Sequence, residues 1–197
     1  MTAYVLVTTD IRNPEPYLAD YVPVAGRTLA AAGGRVLARG SRQDTPEGPW
    51  PRSSCMILEL SDLDAVRSWY HDPDYQAVVP IRLANAESSL LAVEGIAAST
   101  LGGVFVISTV DVVDGPTFQH EYVPPTVASI TEFGGKLLVA GGEAETLEGS
   151  DFCSRTVMFE FADLDTALAW YRSPGYAPLI QVRKTCAPGH LVIVSGD

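Results

Sequence analysis

The chain matches itself without a gap when it is shifted by 101 positions. The motif DLD-x4-WY-x2-P-x-Y begins at Asp62 and begins again at Asp163. The same shift places Gly33-Gly34 on Gly134-Gly135. One register held over a whole domain length indicates two copies of one fold rather than a shared short motif. We therefore expect a repeat at residues 1–95, a second at 104–197, and a small, flexible linker at 96–103.

The composition narrows the possible environments and partners. Hydrophobic residues make up 47% of the 197 residues, which is enough for two cores that share an interface. A net charge of -11 argues against nucleic-acid and anionic-membrane partners, because phosphate binding relies on clustered Lys and Arg. The chain opens with a strand pattern that leaves no room for a signal peptide, and no apolar run is long enough to span a bilayer. Three cysteines at non-equivalent repeat positions favour free thiols, so we expect a soluble cytoplasmic protein.

Each repeat begins with a strand followed by a helix. In repeat one the β-branched run Tyr4–Thr9 predicts a buried strand. A helix should follow from Asn13 to Ala32, where two glycines supply a left-handed cap. Pro23 falls inside that helix, and since proline lacks the N–H of a helical hydrogen bond, the helix should be kinked or split there.

The rest of the repeat reads as two strands, a helix and a closing strand. The expected elements are strands Arg35–Arg39 and Ser53–Leu60 around a polar loop, a helix capped by Ser61, a short helical turn Asp74–Val79, and a strand Ser88–Val93. The order β-α-β-β-α-β is that of ferredoxin-like folds, of the α+β class. Such a sheet covers one face with helices and leaves the other face apolar and open, so the two sheets should pack together as an intramolecular α/β barrel. The fused pair could associate further into a homodimer.

Several of these residues together resemble a known family. The run GGRVLARG, then EG-x-W, then Glu59, then WY-x2-P-x-Y-x6-R, and the closing L-x-x-VEG look like the domain of unknown function 1330. The resemblance covers nearly the whole chain, twice, and implies the dimeric α/β-barrel superfamily. Its members include cofactor-free monooxygenases, isomerases, cyclases, haem enzymes and ligand-binding modules, with small-molecule pockets usually between sheet and helices. A fold shared by so many activities does not select one of them.

The two repeats depart from the family pattern in complementary ways. The family usually has one arginine at the end of the second strand and another at the start of the third. Repeat one has Arg39 at the first position and Ser54 at the second, whereas repeat two has Ala140 and Arg155. The difference suggests that the two pockets have diverged or that one no longer works, although random drift would give the same pattern.

Repeat two holds the candidate catalytic residues. His120 lies beside the proline break of the first helix, and imidazole titrates near neutrality, so it could act as a general base. Tyr122 is a candidate hydrogen-bond donor, Asp111 could orient the base, and Arg155 could hold a carbonyl or carboxylate. The alternative for His120 is a solvated helix residue, and a strand-end aspartate such as Asp111 also commonly caps a turn.

Repeat one holds the other candidate ligand-binding residues. Tyr17 and Tyr21 share one helix face, and Arg39 and Asp10 end two of the strands. Packing of the aromatic rings against the sheet is the alternative for both tyrosines. Two further arginines, Arg82 and Arg183, follow the last helical turn of each repeat. Ion pairs of these arginines with Glu59 or Glu160 are the default expectation, and anion binding is the rival one.

Familiar nucleotide, metal and nucleophile motifs are absent from the sequence. There is no P-loop, G-x-G-x-x-G, C-x-x-C or G-x-S-x-G, and no pair of histidines has helical spacing. We therefore expect no cofactor and no metal, and a small molecule as substrate or ligand. The leading hypothesis is a cofactor-independent enzyme that catalyses a cyclase-type or isomerase-type proton transfer on a carbonyl-bearing metabolite, as in secondary metabolism. A non-catalytic ligand-binding or stress-related module and a cofactor-free monooxygenase are the alternatives.

Overall fold

The computed structural model describes residues 2–40, 43–47 and 50–195. The elements of repeat one are β1 (Thr2–Ile11), α1 (Pro14–Pro16), a π-helical segment π1 (Tyr17–Tyr21), α2 (Val22–Ala31), β2 (Arg35–Ala38), β3 (Gln43–Glu47), β4 (Ser54–Leu60), α3 (Leu63–Tyr70), α4 (Pro73–Asn85) and β5 (Ala86–Gly95). Those of repeat two are β6 (Val104–Val110), α5 (Gly115–Thr117), π2 (Phe118–Tyr122), α6 (Val123–Glu132), β7 (Lys136–Ala140), β8 (Ala144–Glu148), β9 (Arg155–Phe161), α7 (Leu164–Tyr171), α8 (Ala177–Cys186) and β10 (Gly189–Ser195).

The strands form two antiparallel five-stranded sheets whose order is β2-β4-β1-β5-β8 in one and β3-β10-β6-β9-β7 in the other. The inner faces of the sheets pack against each other around Tyr4, Leu6, Phe105, Ile107 and Met158, all fully buried. The helices cover the outer faces. The predicted ferredoxin-like repeats and their intramolecular barrel are confirmed, because burial of both open sheet faces against each other satisfies the apolar side chains of both.

The fifth strand of each sheet comes from the other repeat. β3 pairs antiparallel with β10, and β8 pairs antiparallel with β5. The sequence predicted a polar loop between β2 and β4. This prediction is wrong, because the segment contains β3. Four residues of the predicted loop, Ser41, Arg42, Gly48 and Pro49, lie outside the described residues. The exchange covers the edges that β5 and β10 would otherwise expose, and an uncovered edge strand is prone to aggregation.

The first helix of each repeat is interrupted where proline was expected to break it. In repeat one the helical hydrogen bonds widen into π1 immediately before Val22, and Pro23 then lies in the first turn of α2. Repeat two has the same arrangement in π2 and α6. Proline is tolerated in a first turn because its missing N–H has no intrahelical acceptor there. Gly33 ends the first helical unit with φ of 74°, as predicted.

Two local predictions about the second helical unit are wrong. Asp62, rather than Ser61, caps α3, and its Oδ1 accepts a hydrogen bond from the Ala65 N–H at 2.8 Å. The predicted short turn Asp74–Val79 is the start of the longer helix α4, which continues to Asn85 through Pro80. A carboxylate at an N-cap interacts favourably with the helix dipole, which favours Asp62 over the serine before it.

The linker is held in place by two carboxylates. Ser99 donates its N–H to Glu59 Oε2 at 2.8 Å and its hydroxyl to Glu160 Oε2 at 2.6 Å. The Thr100 N–H donates to Glu160 Oε1 at 2.9 Å. The linker was expected to be flexible because its residues are small. In the structure its backbone and hydroxyl groups are hydrogen-bonded to two buried acidic side chains.

Candidate functional site

Each repeat contains a cavity of about 70 Å³ between its helices and the outer face of its sheet. The volume is about five to seven times the minimum that one water requires, so each cavity suits a small organic molecule. We call them the repeat-one cavity and the repeat-two cavity. Residues from π1 or π2, the following helix, the second and fourth strands of the repeat and a buried tyrosine form the walls in both.

Apolar side chains dominate the repeat-two cavity, and its polar groups are few. The aromatic and aliphatic part of its lining is Val110, Phe118, Val123, Val127, Ile130, Leu137, Val157, Phe159 and Leu191. Among the polar lining residues are Ser108, Tyr122, Arg155, Tyr176 and Arg183. A mainly apolar cavity with a small number of convergent polar groups is the usual form of a small-molecule site.

A pair of tyrosine hydroxyls lies at one side of the repeat-two cavity. The hydroxyl oxygens of Tyr122 and Tyr176 are 3.2 Å apart, and the Tyr176 ring stacks on Trp170 with centroids 4.0 Å apart. Burial raises the pKa of both phenols. Each tyrosine therefore stays protonated at neutral pH and presents a hydroxyl that can donate a hydrogen bond.

Arg155 brings a positive charge to the same cavity. Its Nη2 donates to the Ala140 carbonyl at 2.6 Å, and its guanidinium carbon lies 5.5 Å from the centre of the Phe118 ring. In the described part of the chain no carboxylate lies within ion-pair distance of Arg155. Among the described residues, the Nε of Arg155 is buried without a hydrogen-bond partner, as are the Nε of Arg183 and the hydroxyl of Ser108.

The repeat-one cavity has the same walls and a different set of polar groups. Tyr17 replaces Phe118, Ser54 replaces Arg155, and the guanidinium at the lining belongs to Arg39. The hydroxyls of Tyr21 and Tyr75 are 3.3 Å apart and repeat the tyrosine pair of the other cavity. Burial, with the neighbouring Tyr21, raises the pKa of Tyr17 to about 12.

Behind each tyrosine pair lies a buried arginine whose partner comes from the other repeat. Arg82 pairs with Glu148 on β8, and Arg183 pairs with Glu47 on β3. The prediction that Arg82 and Arg183 pair with Glu59 or Glu160 is wrong, because strand exchange brings a different carboxylate to each guanidinium. Glu47 and Glu148 match under the 101-residue shift, and this duplicated acidic residue was the sequence signal that could have revealed the pairing.

The structure places five of the eight predicted site residues in the cavity linings. Tyr122 and Arg155 line the repeat-two cavity, and Tyr17, Tyr21 and Arg39 line the repeat-one cavity. Tyr75 and Tyr176 were missed as site residues, although the repeated WY-x2-P-x-Y motif contains both.

The other three predicted residues lie outside both linings. His120 is exposed on π2. Asp10 and Asp111 accept hydrogen bonds from the N–H groups of Ser53 and Ser154, at 2.8 and 2.9 Å. Hydrogen bonds from these serines lower the pKa of both aspartates. Each aspartate thus ties the end of the first strand of its repeat, β1 or β6, to the residue that precedes β4 or β9, which is the turn-capping alternative.

Two further observations concern metals and membranes. Within the residues that the structure describes, no group of three or more His, Cys, Asp or Glu side chains could hold a metal ion. Among the same residues, no helix combines the length and apolar character needed to cross a bilayer.

One family model matches the chain twice, at residues 2–96 and 103–197, and the family is described as domain of unknown function (DUF1330). A solved structure of a candidate monooxygenase from Lactobacillus acidophilus NCFM is similar, with a TM-score of 0.55 and 11% identity, over 100% of this chain and 95% of that chain. A candidate monooxygenase from Fusobacterium nucleatum gives a TM-score of 0.54 and 14% identity, over 100% and 92%. An anthrone oxidase-like protein gives 0.52 and 14%, over 99% and 92%. No curated protein matches the sequence. At these identities the likeness establishes the fold alone.

Proposed function

This chain belongs, in two tandem copies, to the family of the domain of unknown function DUF1330, and from that premise we propose that its repeat-two cavity is the site of a small-molecule enzyme. The cavity binds a small, mainly apolar molecule through one carbonyl or carboxylate group and activates it for proton transfer. The observation that carries the proposal is a set of buried polar atoms that have no partner in the described part of the chain. They belong to Ser108, Arg155 and Arg183, all in the lining of an apolar cavity.

Unpartnered buried polar atoms favour a ligand because leaving them unsatisfied costs free energy. A buried donor without an acceptor costs on the order of 1–3 kcal/mol, and more when the group is charged. A carbonyl or carboxylate oxygen in the cavity would accept from Arg155 and recover that cost. The apolar walls would bury the remainder of the ligand.

The chemistry follows from the charge of the groups that face the ligand. Tyr122 is a neutral phenol that can donate to a carbonyl oxygen, and Arg155 is a permanent cation. Both stabilise the negative charge that develops on that oxygen when a proton leaves the adjacent carbon. Enolisation of this kind is the first step of many isomerase-type and cyclase-type reactions. The proposed proton transfer is therefore compatible with both reaction types that the sequence suggested.

The structure gives His120 no place in this step, because its side chain lies outside the cavity lining. The described lining contains no Asp, Glu, His or Lys side chain. The proton acceptor in the proposal is therefore water at the cavity mouth or a basic group of the ligand itself. Arg155 and Tyr122 supply polarisation and positioning.

Deuterium exchange tests the proposal directly. We expect the protein in D2O to speed the loss of the methylene proton signal of phenylacetone above the buffer rate, as measured by proton NMR. Arg155→Gln and Tyr122→Phe should each slow that exchange at least about tenfold, since each removes one group that stabilises the developing charge. Arg172→Gln, which removes an exposed cation of repeat two, is the matched control. Exchange by Arg155→Gln at the wild-type rate would overturn the proposed role of Arg155.

A non-catalytic ligand-binding module is the second candidate, and the lack of a basic side chain in the described lining favours it. Such a module would bind phenylacetone or phenylacetate in the same cavity without raising the exchange rate. A calorimetric titration that shows binding, together with exchange at the buffer rate, would select this candidate. Oxygen consumption in the same samples would instead point to the oxygenase alternative.

A further inference from the structure

The repeat-one cavity carries a hydroxyl that its counterpart lacks. Tyr17 takes the position of Phe118, lines the cavity and is 5% exposed. Within the described residues its hydroxyl makes no hydrogen bond. The ring is nearly buried, but the hydroxyl oxygen is not among the fully buried polar atoms without partners, so it keeps some access to solvent. The hydroxyl of Tyr17, in the lining of the cavity, is therefore available to a polar group of a ligand.

We propose that the repeat-one cavity is a second ligand site, specific for a small carboxylate that carries a hydroxyl group. The carboxylate binds Arg39 and the ligand hydroxyl binds Tyr17. The two cavities of the chain therefore take different molecules. This proposal concerns another cavity and does not depend on the activity assigned to the repeat-two cavity.

The positive charge of Arg39 at the repeat-one cavity favours an anion. Arg39 lines the cavity with an exposed side chain and has no ion-pair partner in the described part of the chain. A carboxylate that binds it stays close to water, so it avoids most of the desolvation cost of a deeply buried anion. The buried guanidinium of Arg82 lies 5.9 Å from the centre of the Tyr21 ring, but Glu148 compensates its charge, so Arg39 is the cation that an anion in the cavity would meet.

The tyrosines supply the hydrogen bonds for the rest of the ligand. Because its pKa is raised, Tyr17 stays protonated at neutral pH, and its hydroxyl can both donate to and accept from a ligand hydroxyl. The Tyr21–Tyr75 pair offers further hydroxyls in the same lining. In the repeat-two cavity Phe118 has no hydroxyl at the position of Tyr17, so a ligand hydroxyl at that position would gain no hydrogen bond from it.

Gly26 shapes the repeat-one cavity as well. A Cβ at Gly26 would meet no atom of the described residues within 4 Å, and the equivalent residue of repeat two is Val127. Both residues line their cavities. A valine at position 26 would therefore occupy ligand space in the repeat-one cavity and leave the polar groups untouched.

Reciprocal variants test the proposal with benzoate, 3-hydroxybenzoate and 4-hydroxybenzoate as probes. Binding is measured by titration while backbone amide signals near Gly26 and Val127 report which cavity fills. In the wild type we expect either 3-hydroxybenzoate or 4-hydroxybenzoate to bind the repeat-one cavity about three- to tenfold more tightly than benzoate does. This difference in affinity is the effect of one hydrogen bond. Tyr17→Phe should abolish that preference, and Phe118→Tyr should create it in the repeat-two cavity.

The controls separate loss of the site from loss of the fold. Gly26→Val should abolish the shifts near Gly26 and leave those near Val127 unchanged, and thermal unfolding should show that each variant folds. The proposal is overturned if neither hydroxybenzoate is preferred over benzoate, if Tyr17→Phe keeps the wild-type preference, or if no probe shifts the signals near Gly26. Failure of the phenylacetone exchange in the repeat-two cavity would leave these outcomes unaffected.

Discussion

In the repeat-two cavity the guanidinium comes from Arg155 at the start of β9, whereas in the repeat-one cavity it comes from Arg39, beyond the end of β2. The hydroxyl of Tyr17 has no equivalent at Phe118, and the open space at Gly26 is filled by Val127 in the second repeat. The apolar residues that pack the helices against the sheet come from equivalent elements in both cavities. Duplication has thus kept the residues that build a cavity and allowed the residues that select its contents to change.

The two buried arginine–glutamate pairs allow the stability of the two repeats to be compared directly. The side chains of Arg183 and Glu47 are both 1% exposed, whereas Glu148, the partner of Arg82, is 16% exposed and also accepts a hydrogen bond from Tyr70. The largest predicted effect is therefore that of Glu47→Gln, which leaves the Arg183 charge buried without a counter-ion. We expect a loss of about 3–5 kcal/mol in the free energy of unfolding, measured by urea denaturation.

The equivalent change in the other repeat provides the comparison. Glu148→Gln should cost less than Glu47→Gln, because water can reach the site. Glu143→Gln removes one partner of the exposed Arg67 and should change stability by less than about 0.5 kcal/mol. Equal losses for Glu47→Gln and Glu148→Gln would show that burial does not distinguish the pairs.

The linker carboxylates give a prediction about pH. Burial alone would raise the pKa of Glu160, but hydrogen bonds from Ser99 and from the N–H groups of Thr100, Leu101 and Gly102 outweigh it and lower the pKa from its ordinary value. A group with a lowered folded-state pKa stabilises the fold above its unfolded-state pKa, and this contribution disappears as the pH falls through the folded-state value. We expect Glu160→Gln to cost about 1.5–3 kcal/mol at pH 7, the range for hydrogen bonds to a charged group.

The same variant should also flatten the acid side of the stability profile. As the pH falls below 4.5, the ordinary pKa of a glutamate, the free energies of unfolding of wild type and Glu160→Gln should converge. Urea titrations at each pH measure this convergence. Glu132→Gln, an exposed change on α6, is the control and should keep the wild-type profile. Parallel profiles for wild type and Glu160→Gln would contradict the role assigned to the carboxylate.

A smaller effect than that of Glu160→Gln concerns the tryptophan of each WY motif. Trp170 donates its indole N–H to the Ser129 hydroxyl at 3.0 Å, and Trp69 donates to the Thr28 hydroxyl at 3.3 Å. Ser129→Ala and Thr28→Val each leave a buried indole N–H without an acceptor, at a cost of about 1 kcal/mol. Thermal unfolding should show the larger loss for Ser129→Ala, since its bond is shorter. An increase in stability for either variant would mean that the indole finds another acceptor.

Much of the candidate site could be predicted from sequence because its residues lie in elements that the repeat defines. Tyr17 and Tyr21 were placed on one helix face by their spacing, and both line a cavity. His120 lies between Phe118 and Tyr122, and a residue two positions from each points away from the face that they share. Its chemistry suggested a base, but the helical geometry puts it in water.

The sequence by itself determined the duplicated βαββαβ unit, the packing of two open sheet faces, and the aromatic residues that support each cavity. These follow from the 101-residue register and from local hydrophobic patterns. Only the tertiary structure decided that β3 and β8 change sheets, that Arg82 and Arg183 pair with glutamates of the opposite repeat, and that Glu59 and Glu160 hold the linker. The reason is that strand exchange and long-range ion pairing depend on which edges and charges meet in space. The sequence marks Glu47 and Glu148 as equivalent residues, but the local pattern does not say which arginine each one meets.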